Sequence, residues 1–264
     1  MKKVRLDQRV FELGFTESRE RAKTTVMSGL VFVNGQRADK PGMPVDPDAD
    51  IEVRGVALPF VSRGGFKLDK ALKVFPIDPA GKTCIDCGAS TGGFTDVLLQ
   101  HGAAKVYAVD VGYGQLAWKL RNDERVINLE RTNLRYVTEE QIPELLDIAV
   151  MDVSFISVKL VLPAVQRLLK PDADIVCLIK PQFEAGREEV GKKGVVRDSA
   201  VHKEVIRSVL DFAPGIGLTP VGLDFSPIKG PEGNIEYICH LKNGGHAAPQ
   251  LDVDAVVAAS HEAL

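Results

Sequence analysis

A glycine-rich turn between a short strand and a helix is the feature that most constrains the fold of this chain. The apolar run 83–85 leads into Asp86-Cys-Gly-Ala-Ser-Thr-Gly-Gly-Phe94, and a helical pattern begins at the end of that string. Such a turn makes a cofactor site, because backbone N–H groups are exposed and bulky side chains are missing. About twenty residues on, a second apolar run ends in Asp110, where doubly wound sheets place the acidic group that binds ribose hydroxyls. The pattern predicts a cofactor at the ends of these strands.

The glycine spacing differs from that of dinucleotide-binding proteins. After Gly88 the next glycines are Gly92 and Gly93, so the Gly-x-Gly-x-x-Gly pattern is not satisfied. An acidic residue followed by Gly-x-x-x-Gly instead resembles the first motif of S-adenosylmethionine-dependent methyltransferases, which implies S-adenosylmethionine as the cofactor. The predicted cofactor contacts are Asp86, Gly88, Ala89, Ser90, Thr91, Gly92, Gly93, Phe94, Asp110, Asn133 and Asp152.

Strand and helix patterns alternate along residues 61–245, which predicts an α/β domain. We expect a Rossmann-like methyltransferase domain: a seven-stranded, mostly parallel sheet with helices on both faces, closed by an antiparallel hairpin of the last two strands. Residues 246–264 are predicted to be a loose C-terminal tail. The expected strands are 83–87, 104–110, 126–130, 147–153, 173–180, 218–225 and 235–242, and the expected helices are 94–101, 115–122, 156–169 and 199–213.

Composition excludes several classes of protein. Hydrophobic residues make up 45% of the 264, so the chain can form a packed core. No apolar run approaches the roughly 18 residues of a membrane span, and the start lacks the apolar segment of a signal peptide, so we expect a cytoplasmic protein without membrane contact. Cys84 and Cys87 form a single C-x-x-C with no histidine cluster nearby, so we interpret them as small buried residues and expect no metal.

The N-terminal segment 1–60 predicts a small α+β domain with a basic surface. A short helix ends at Gly14, a second begins after Thr16 or Ser18 and stops near Gly29, and Asn34-Gly35 signals a hairpin between strands. Residues 1–40 carry a net charge of +4, whereas the whole chain carries −3, which points to an anionic partner for this end. A solvated helix face explains the basic residues of the second helix equally well.

Four short motifs in this segment favour the first explanation. Arg5-Leu-Asp7, 18–22, 29–31 and 33–35 resemble, in this order, the small RNA-binding domain named after ribosomal protein S-four. The resemblance covers roughly residues 3–60 and implies RNA binding through phosphate contacts. The residues that would make these contacts are Arg5, Arg19, Arg21 and Lys23.

Charged residues follow several predicted strands at the edge where open α/β sheets bind ligands. Asp152 and Lys180 each follow an apolar run, Glu236 opens the final strand, and Lys67 lies just ahead of the sheet. Each alone could be an ordinary surface charge. Together they match the Lys-Asp-Lys-Glu tetrad of FtsJ-like ribose 2′-O-methyltransferases.

The whole of residues 3–242 resembles the TlyA family, bacterial proteins often labelled haemolysin A. The likeness is carried by Ser62-Arg-Gly64 and by the strings 88–94, 110–116, 152–157, 180–184 and 194–196. The resemblance implies methylation of cytidine 2′-hydroxyls in ribosomal RNA, with ribosomal subunits as partners and the tetrad as the catalytic group.

The chemistry of a ribose hydroxyl agrees with such a tetrad, because the hydroxyl must lose its proton as it attacks the methyl group. We expect Lys180 to be the central group, either as the base or as the cation that stabilises the forming alkoxide. Asp152 and Glu236 would orient it, and Lys67 would assist. The sequence leaves the two roles of Lys180 open.

Other functions fit the sequence less well. A base-amino methyltransferase would have Asn/Asp-Pro-Pro-aromatic where this chain has Asp152-Val-Ser-Phe155, and Cys177 and Cys239 lack the Pro-Cys context of a cytosine-carbon methyltransferase. A membrane-lytic protein and a non-catalytic ribosome-binding factor remain as alternatives. Residues 182–197 form either a substrate loop or a plain surface loop. The two-domain layout needs no second chain to complete a core, so a monomer is consistent with it.

Overall fold

The computed structural model describes residues 3–16, 18–54, 59–230 and 232–264. It divides into two compact units, Met1–Arg63 and Gly64–Leu264. The division lies close to the predicted boundary after residue 60. Each unit has its own hydrophobic core.

The described residues of the N-terminal unit form two helices and two small antiparallel sheets. The loop Asn34-Gly35 has positive φ angles of 50° and 77°, as a type I′ hairpin turn requires, so the predicted hairpin is present. Ser18 caps the second helix by accepting a hydrogen bond from the Arg21 backbone N–H, as its position predicts. The elements are β1 (Val4–Arg5), α1 (Leu6–Glu12), α2 (Arg19–Met27), β2 (Val31–Val33), β3 (Gln36–Ala38), β4 (Pro44–Val45) and β5 (Ile51–Val53).

The C-terminal unit is built on a seven-stranded sheet flanked by helices, which confirms the predicted fold class. The strand order is β11-β12-β10-β9-β6-β7-β8, with β12 antiparallel to both of its neighbours and the other pairs parallel. The strands are β6 (Thr83–Cys87), β7 (Lys105–Val109), β8 (Val126–Leu129), β9 (Leu146–Met151), β10 (Leu169–Ile179), β11 (Leu218–Phe225) and β12 (Tyr237–Asn243). The helices are α3 (Gly65–Val74), α4 (Gly93–Gln100), α5 (Trp118–Arg121), α6 (Leu162–Gln166), α7 (Pro181–Glu184), α8 (Ser199–Phe212) and α9 (Val253–Ala263).

The strand directions bring the predicted site residues to one edge of the sheet. Strands β6, β7, β9 and β10 are parallel, so their carboxyl ends share that edge. Strand β12 runs the other way, and its first residue, Tyr237, pairs with the last residue of β10, Ile179. Glu236, just before β12, therefore lies at the same edge as Lys180, just after β10.

Two predicted helices are shorter in the structure. The predicted helix 115–122 contains only α5, and the predicted helix 156–169 is divided into a 3₁₀ turn at Val158–Leu160 and α6. Pro163 stands at the start of α6 and lacks the N–H that a continuous helix would need there. Both predicted segments contain helical structure, but in short elements rather than in continuous helices.

The prediction of a loose tail after residue 245 is wrong for its second half. Asp252 caps α9 by accepting a hydrogen bond from the Ala255 backbone N–H at 2.9 Å, and Val257 is fully buried in the core of the sheet unit. The segment has the apolar spacing of a helix, at Val253 and Val257, although its overall composition is rich in alanine and polar residues.

None of the helices within the described ranges has the length and apolar character needed to cross a bilayer.

We predict that Val257→Ala lowers the free energy of unfolding by about 2 kcal/mol, because it deletes two buried methyl groups and leaves a cavity. Urea unfolding of the full chain measures the loss. The control is Glu262→Ala on the exposed side of the same helix, which should change stability by less than about 0.5 kcal/mol. Equal effects of the two substitutions would show that α9 is not packed as described.

Candidate active site

A cavity of about 450 Å³ opens at the carboxyl edge of the sheet. Its size is within the range of small-molecule sites. Five of the predicted cofactor contacts line it: Gly88, Ser90, Asp110, Asn133 and Asp152. The other predicted contacts belong to the same turn without lining the cavity; they are Asp86, Ala89, Thr91, Gly92, Gly93 and Phe94.

The glycines of the turn allow two close approaches. Gly88 has a φ of +86°, and a Cβ there would lie 2.9 Å from the carbonyl oxygen of Asp152. Gly92, the residue before α4, has a φ of +92°, and a Cβ there would lie 2.2 Å from a methyl group of Leu120. Only glycine meets both demands, the positive φ and the missing side chain. The turn is thus packed directly against the end of β9, where Asp152 lies.

Several backbone N–H groups of the turn are already used within the protein, contrary to the expectation that they are exposed. Gly88 and Ala89 both donate to the Val109 carbonyl, and Ser90 donates to Asp110 Oδ2 at 2.8 Å. The other carboxylate oxygen of Asp110 accepts from Gly112 N–H at 2.6 Å. Each carboxylate oxygen can accept a second hydrogen bond, so a fixed acceptor faces the cavity, as ribose hydroxyls require. The residues fit a nucleoside cofactor through this side chain.

Asp86 anchors α4 and is itself buried. Its Oδ2 accepts hydrogen bonds from the backbone N–H and the hydroxyl of Thr95, at 2.9 and 2.7 Å. Its Oδ1 is buried and has no hydrogen-bond partner within the described ranges. Burial raises the pKa of Asp86 to about 7; the Thr95 hydrogen bonds oppose this rise, and the nearby charges of Asp152 and Asp110 add to it.

The four predicted catalytic residues form one contiguous cluster beside this cavity. Asp152 bridges the two lysines: Oδ1 lies 2.5 Å from Lys180 Nζ, and Oδ2 lies 3.2 Å from Lys67 Nζ. Lys67 also contacts Glu236 Oε2 at 2.6 Å. The two lysines and the two carboxylates thus alternate along one chain of contacts. Lys67, Lys180 and Glu236 are buried, and Asp152 also lines the cavity.

Two members of the cluster, Lys67 and Asp152, are held in their ionised forms by their neighbours. Burial opposes the charged form of Lys67, but Asp152 and Glu236 outweigh it and raise the pKa of this lysine. Burial likewise opposes the charge of Asp152, and the two lysines outweigh it and lower the pKa of this carboxyl. Lys67 therefore stays a cation and Asp152 an anion at neutral pH.

Ser154 and Phe155, which follow Asp152 in the chain, contribute to the site although neither was predicted as a site residue. Ser154 lines the cavity, and its Oγ accepts a hydrogen bond from Lys180 Nζ at 2.9 Å. Phe155 has a φ of +63° and a 91% exposed side chain, and its ring packs on Phe183 with centroids 5.2 Å apart. In the sequence, Asp152-Val-Ser-Phe155 excludes another motif and, as part of the string 152–157, carries the family resemblance, but neither use predicts a role for Ser154 or Phe155. Its serine and aromatic residue directly after a strand end were the available signal.

A second contact joins the loops that follow β9 and β10. Glu184 accepts hydrogen bonds from the Ser157 hydroxyl and the Val158 backbone N–H, both at 2.7 Å. Burial raises the pKa of Glu184, and these two hydrogen bonds oppose the rise. The loops that carry Asp152 and Lys180 are therefore fixed to each other beyond the tetrad.

In the N-terminal unit, two of the predicted RNA-binding arginines share one buried carboxylate. Asp7 is fully buried and binds Arg5 through two hydrogen bonds of 3.0 Å, and Arg19 Nε lies 3.6 Å from the same carboxylate. Lys23 forms an ion pair of 2.7 Å with Glu20, and Arg21 lies on the same helix. The roles of these four residues in RNA binding stay predictions.

The described ranges contain no group of three or more histidine, cysteine or acidic side chains that could hold a metal ion. Cys84 and Cys87 are both buried in β6 with free thiols, as interpreted from the sequence.

The fold and the site together define a class: a methyltransferase-type α/β unit that follows a small RNA-binding-type unit. A model of the FtsJ-like methyltransferase family matches residues 60–243, and a model of the S4 domain matches residues 4–51. The chain belongs to the FtsJ-like methyltransferase family and, within it, to the TlyA family.

Three relatives illustrate the similarity. The chain is 50% identical to YqxC of Bacillus subtilis, over 100% of this chain and 96% of that one. It is 47% identical to the 16S/23S rRNA (cytidine-2′-O)-methyltransferase TlyA of Mycobacterium tuberculosis, over 91% of this chain and 90% of that one. A solved structure from Streptococcus thermophilus, which carries a hemolysin name, has a TM-score of 0.78 at 48% identity and covers 100% of this chain and 97% of that one.

We predict that Asp86 makes the sheet unit less stable as the pH rises from about 4 to about 7. Its pKa is raised from 3.8 to about 7, so in this window the folded protein holds a proton that the unfolded chain has released. The stabilisation is fully present below the unfolded pKa and is lost as pH rises through the folded one. The free energy of unfolding of the wild type should therefore fall between pH 5 and pH 8. In Asp86→Asn, whose amide resembles the protonated acid, that fall should be smaller by roughly 2–4 kcal/mol.

Urea unfolding at the two pH values measures this difference. Glu139→Gln, the same acid-to-amide change at an exposed position, is the control and should follow the wild type. Identical pH dependence in Asp86→Asn and the wild type would contradict the assignment.

Proposed function

We propose that this protein methylates the 2′-hydroxyl of cytidine in ribosomal RNA, with S-adenosylmethionine as the methyl donor. The single observation that carries the proposal is the position of Asp152, which lines the cofactor cavity and also contacts both lysines of the tetrad. A hydroxyl held at the tetrad would thus lie next to a group bound in the cavity. Such proximity is what direct methyl transfer needs.

When bound, S-adenosylmethionine supplies an electrophilic methyl group on a sulfonium sulfur. Asp110 would bind the ribose hydroxyls of this cofactor, and Gly88 and Ser90 would form the wall against which it lies. Asn133, which also lines the cavity, would contact the cofactor as well, and the remaining residues of the 86–94 turn would support the wall. Asp86 would act from behind the turn, by holding the start of α4.

The tetrad would act on the ribose hydroxyl of the RNA. Lys67 is held as a cation by two carboxylates, so it cannot accept a proton and instead fixes Asp152 and Glu236. Lys180 contacts one carboxylate and one hydroxyl, so it is the lysine that either accepts the 2′-proton or stabilises the developing alkoxide. A methylation rate that climbs with pH and is abolished in Lys180→Arg would support the base. A flat profile with activity retained in Lys180→Arg would support the cation.

Three observations support RNA as the substrate. The N-terminal unit presents Arg5 and Arg19 side chains that are about half exposed and oriented by Asp7, which suits phosphate contacts. The exposed ring of Phe155 packs on Phe183 beside the tetrad, and unstacked RNA bases bind to such aromatic surfaces. The relative TlyA is named for cytidine 2′-O-methylation of 16S and 23S rRNA. We accordingly propose a cytoplasmic protein that acts on ribosomal subunits.

We predict that the purified chain transfers labelled methyl groups from S-adenosylmethionine to ribosomal subunits that lack the modification. The label should make the neighbouring phosphodiester resistant to alkali, because the 2′-oxygen can no longer attack it. Lys180→Ala should reduce the rate by at least about 100-fold, because it removes the group that acts on the hydroxyl. Lys170→Ala, which removes a half-exposed lysine from the same strand β10, is the matched control.

The two alternative functions predict different results in this assay and in a separate liposome-leakage assay. Binding of the cofactor without labelling of RNA or subunits would favour a ribosome-binding factor. Leakage of liposomes caused by the purified protein would favour the membrane-active alternative, since a methyltransferase causes none.

We predict that Arg19→Ala weakens binding to ribosomal RNA and lowers the slope of log affinity against log salt by about 1, because one phosphate contact is lost. Filter binding at several salt concentrations measures both quantities. Lys73→Ala on α3 removes a more exposed cation that pairs with Asp69 and should leave the slope unchanged. An unchanged slope in Arg19→Ala would show that this arginine makes no phosphate contact with the RNA.

A further inference from the structure

The two lysines of the tetrad have different surroundings. Lys67 contacts two carboxylates, Asp152 and Glu236, at 3.2 and 2.6 Å. Lys180 contacts one carboxylate, Asp152, at 2.5 Å, and its second partner is the neutral hydroxyl of Ser154 at 2.9 Å. The two lysines therefore differ in their second partner, which is a carboxylate for Lys67 and a hydroxyl for Lys180.

A lysine held by one partner is poorly oriented. Its ammonium group has three donors at the end of a flexible four-carbon stem, and a single carboxylate leaves rotation about that contact free. Ser154 supplies a second fixed oxygen only two residues from Asp152. Asp152 Oδ1 and Ser154 Oγ, two oxygens on one short segment, each occupy one position around Lys180 Nζ. They thereby define the direction of its third position, which holds a hydrogen in the ammonium form and a lone pair in the amine form.

The backbone that carries both oxygens is itself fixed. A Cβ at Gly88 would lie 2.9 Å from the Asp152 carbonyl oxygen and 3.3 Å from the Val153 Cα, so the segment 152–153 is packed against the glycine turn. Val153 is buried, and the Asp152 N–H donates to the Cys87 carbonyl at 3.0 Å. Ser154 thus directly follows a segment that is packed against the glycine turn.

A neutral hydroxyl suits this position better than the alternatives. A second carboxylate would give the cluster a net negative charge and favour the protonated lysine, as at Lys67. An alanine would leave Lys180 with the Asp152 carboxylate and the Phe183 ring, whose centroid is 5.9 Å from Nζ, and without the hydroxyl. Ser154 also lines the cofactor cavity, so its hydroxyl is at the boundary between the buried lysine and the space where the reacting groups meet.

We propose that Ser154 is a positioning residue for Lys180 that aims its amino group at the ribose hydroxyl. The proposal rests on the proposed methyl transfer. The proposal adds to the site a residue outside the tetrad. It also explains the difference between the two lysines, because the second partner of Lys180 is the Ser154 hydroxyl and that of Lys67 is a carboxylate.

The test compares Ser154→Ala and Ser154→Thr with the wild type in single-turnover methylation of ribosomal subunits. Ser154→Ala should lower the rate constant roughly 10- to 100-fold, because the lysine loses its orientation. Calorimetry should give a Kd for S-adenosylmethionine within about threefold of the wild type. Ser154→Thr, which restores the hydroxyl, should recover most of the rate. Ser208→Ala is the control: it removes an exposed hydroxyl that likewise accepts a hydrogen bond of 2.9 Å from a lysine, Lys159, but lies on α8.

Each other result overturns the proposal. An Ala variant with an unchanged rate shows that the hydroxyl does not position Lys180. A Kd weakened tenfold or more at an unchanged rate makes Ser154 a cofactor contact instead. A rate loss in Ser208→Ala as large as that in Ser154→Ala shows that the effect does not come from the contact with Lys180. Failure of the proposed function is seen separately, because the wild type itself would then transfer no methyl group.

Discussion

The carboxylate of Asp152 holds the candidate active site together. Within the part of the chain that the structure describes, it alone contacts both lysines, and it also lines the proposed cofactor cavity. A buried lysine without a counter-charge would be costly, so the two ammonium groups depend on the carboxylates between them. Removing Asp152 would leave Lys180 with a neutral hydroxyl and Lys67 with Glu236 alone. The geometry of the remaining residues follows from this bridge.

The glycine turn and the tetrad are coupled through the backbone rather than through side chains. Gly88 follows β6, and Asp152 follows the adjacent strand β9, where the two chains approach so closely that a Cβ does not fit. The same contact therefore shapes the wall of the cofactor cavity and places the central carboxylate. A side chain at residue 88 would disturb both at once. The cofactor and the hydroxyl would accordingly be aligned by one rigid piece of the sheet.

Much of this arrangement could be predicted from the sequence, because strand direction decides which ends meet. Asp152 and Lys180 follow parallel strands, and an antiparallel last strand necessarily returns Glu236 to the same edge. The hairpin at Asn34 was predictable from the conformational demands of one turn. Local signals and topology were sufficient in these cases.

The features that could not be predicted depend on contacts between residues that are distant in sequence, or on local hydrogen bonds that several backbone arrangements of the same sequence could make. Nothing in the sequence indicates that Asp7 is buried beneath two arginines, or that the Ser154 hydroxyl reaches Lys180. The glycine turn was expected to expose its N–H groups, but the neighbouring strand end and Asp110 satisfy several of them. The C-terminal helix was missed because its small apolar face is visible only once the core against which it packs is known.

Measuring cofactor affinity and methyl transfer in Asp152→Asn tests the account most directly. The substitution keeps the size of the side chain and removes its charge, so the walls of the cavity should remain while the lysines lose their bridge. We expect a Kd for S-adenosylmethionine within about threefold of the wild type and a single-turnover rate lower by at least about 100-fold. Asp147→Asn, at the other end of β9, should leave both quantities unchanged. A variant that transfers methyl groups at the wild-type rate would contradict the claim that this carboxylate organises the site.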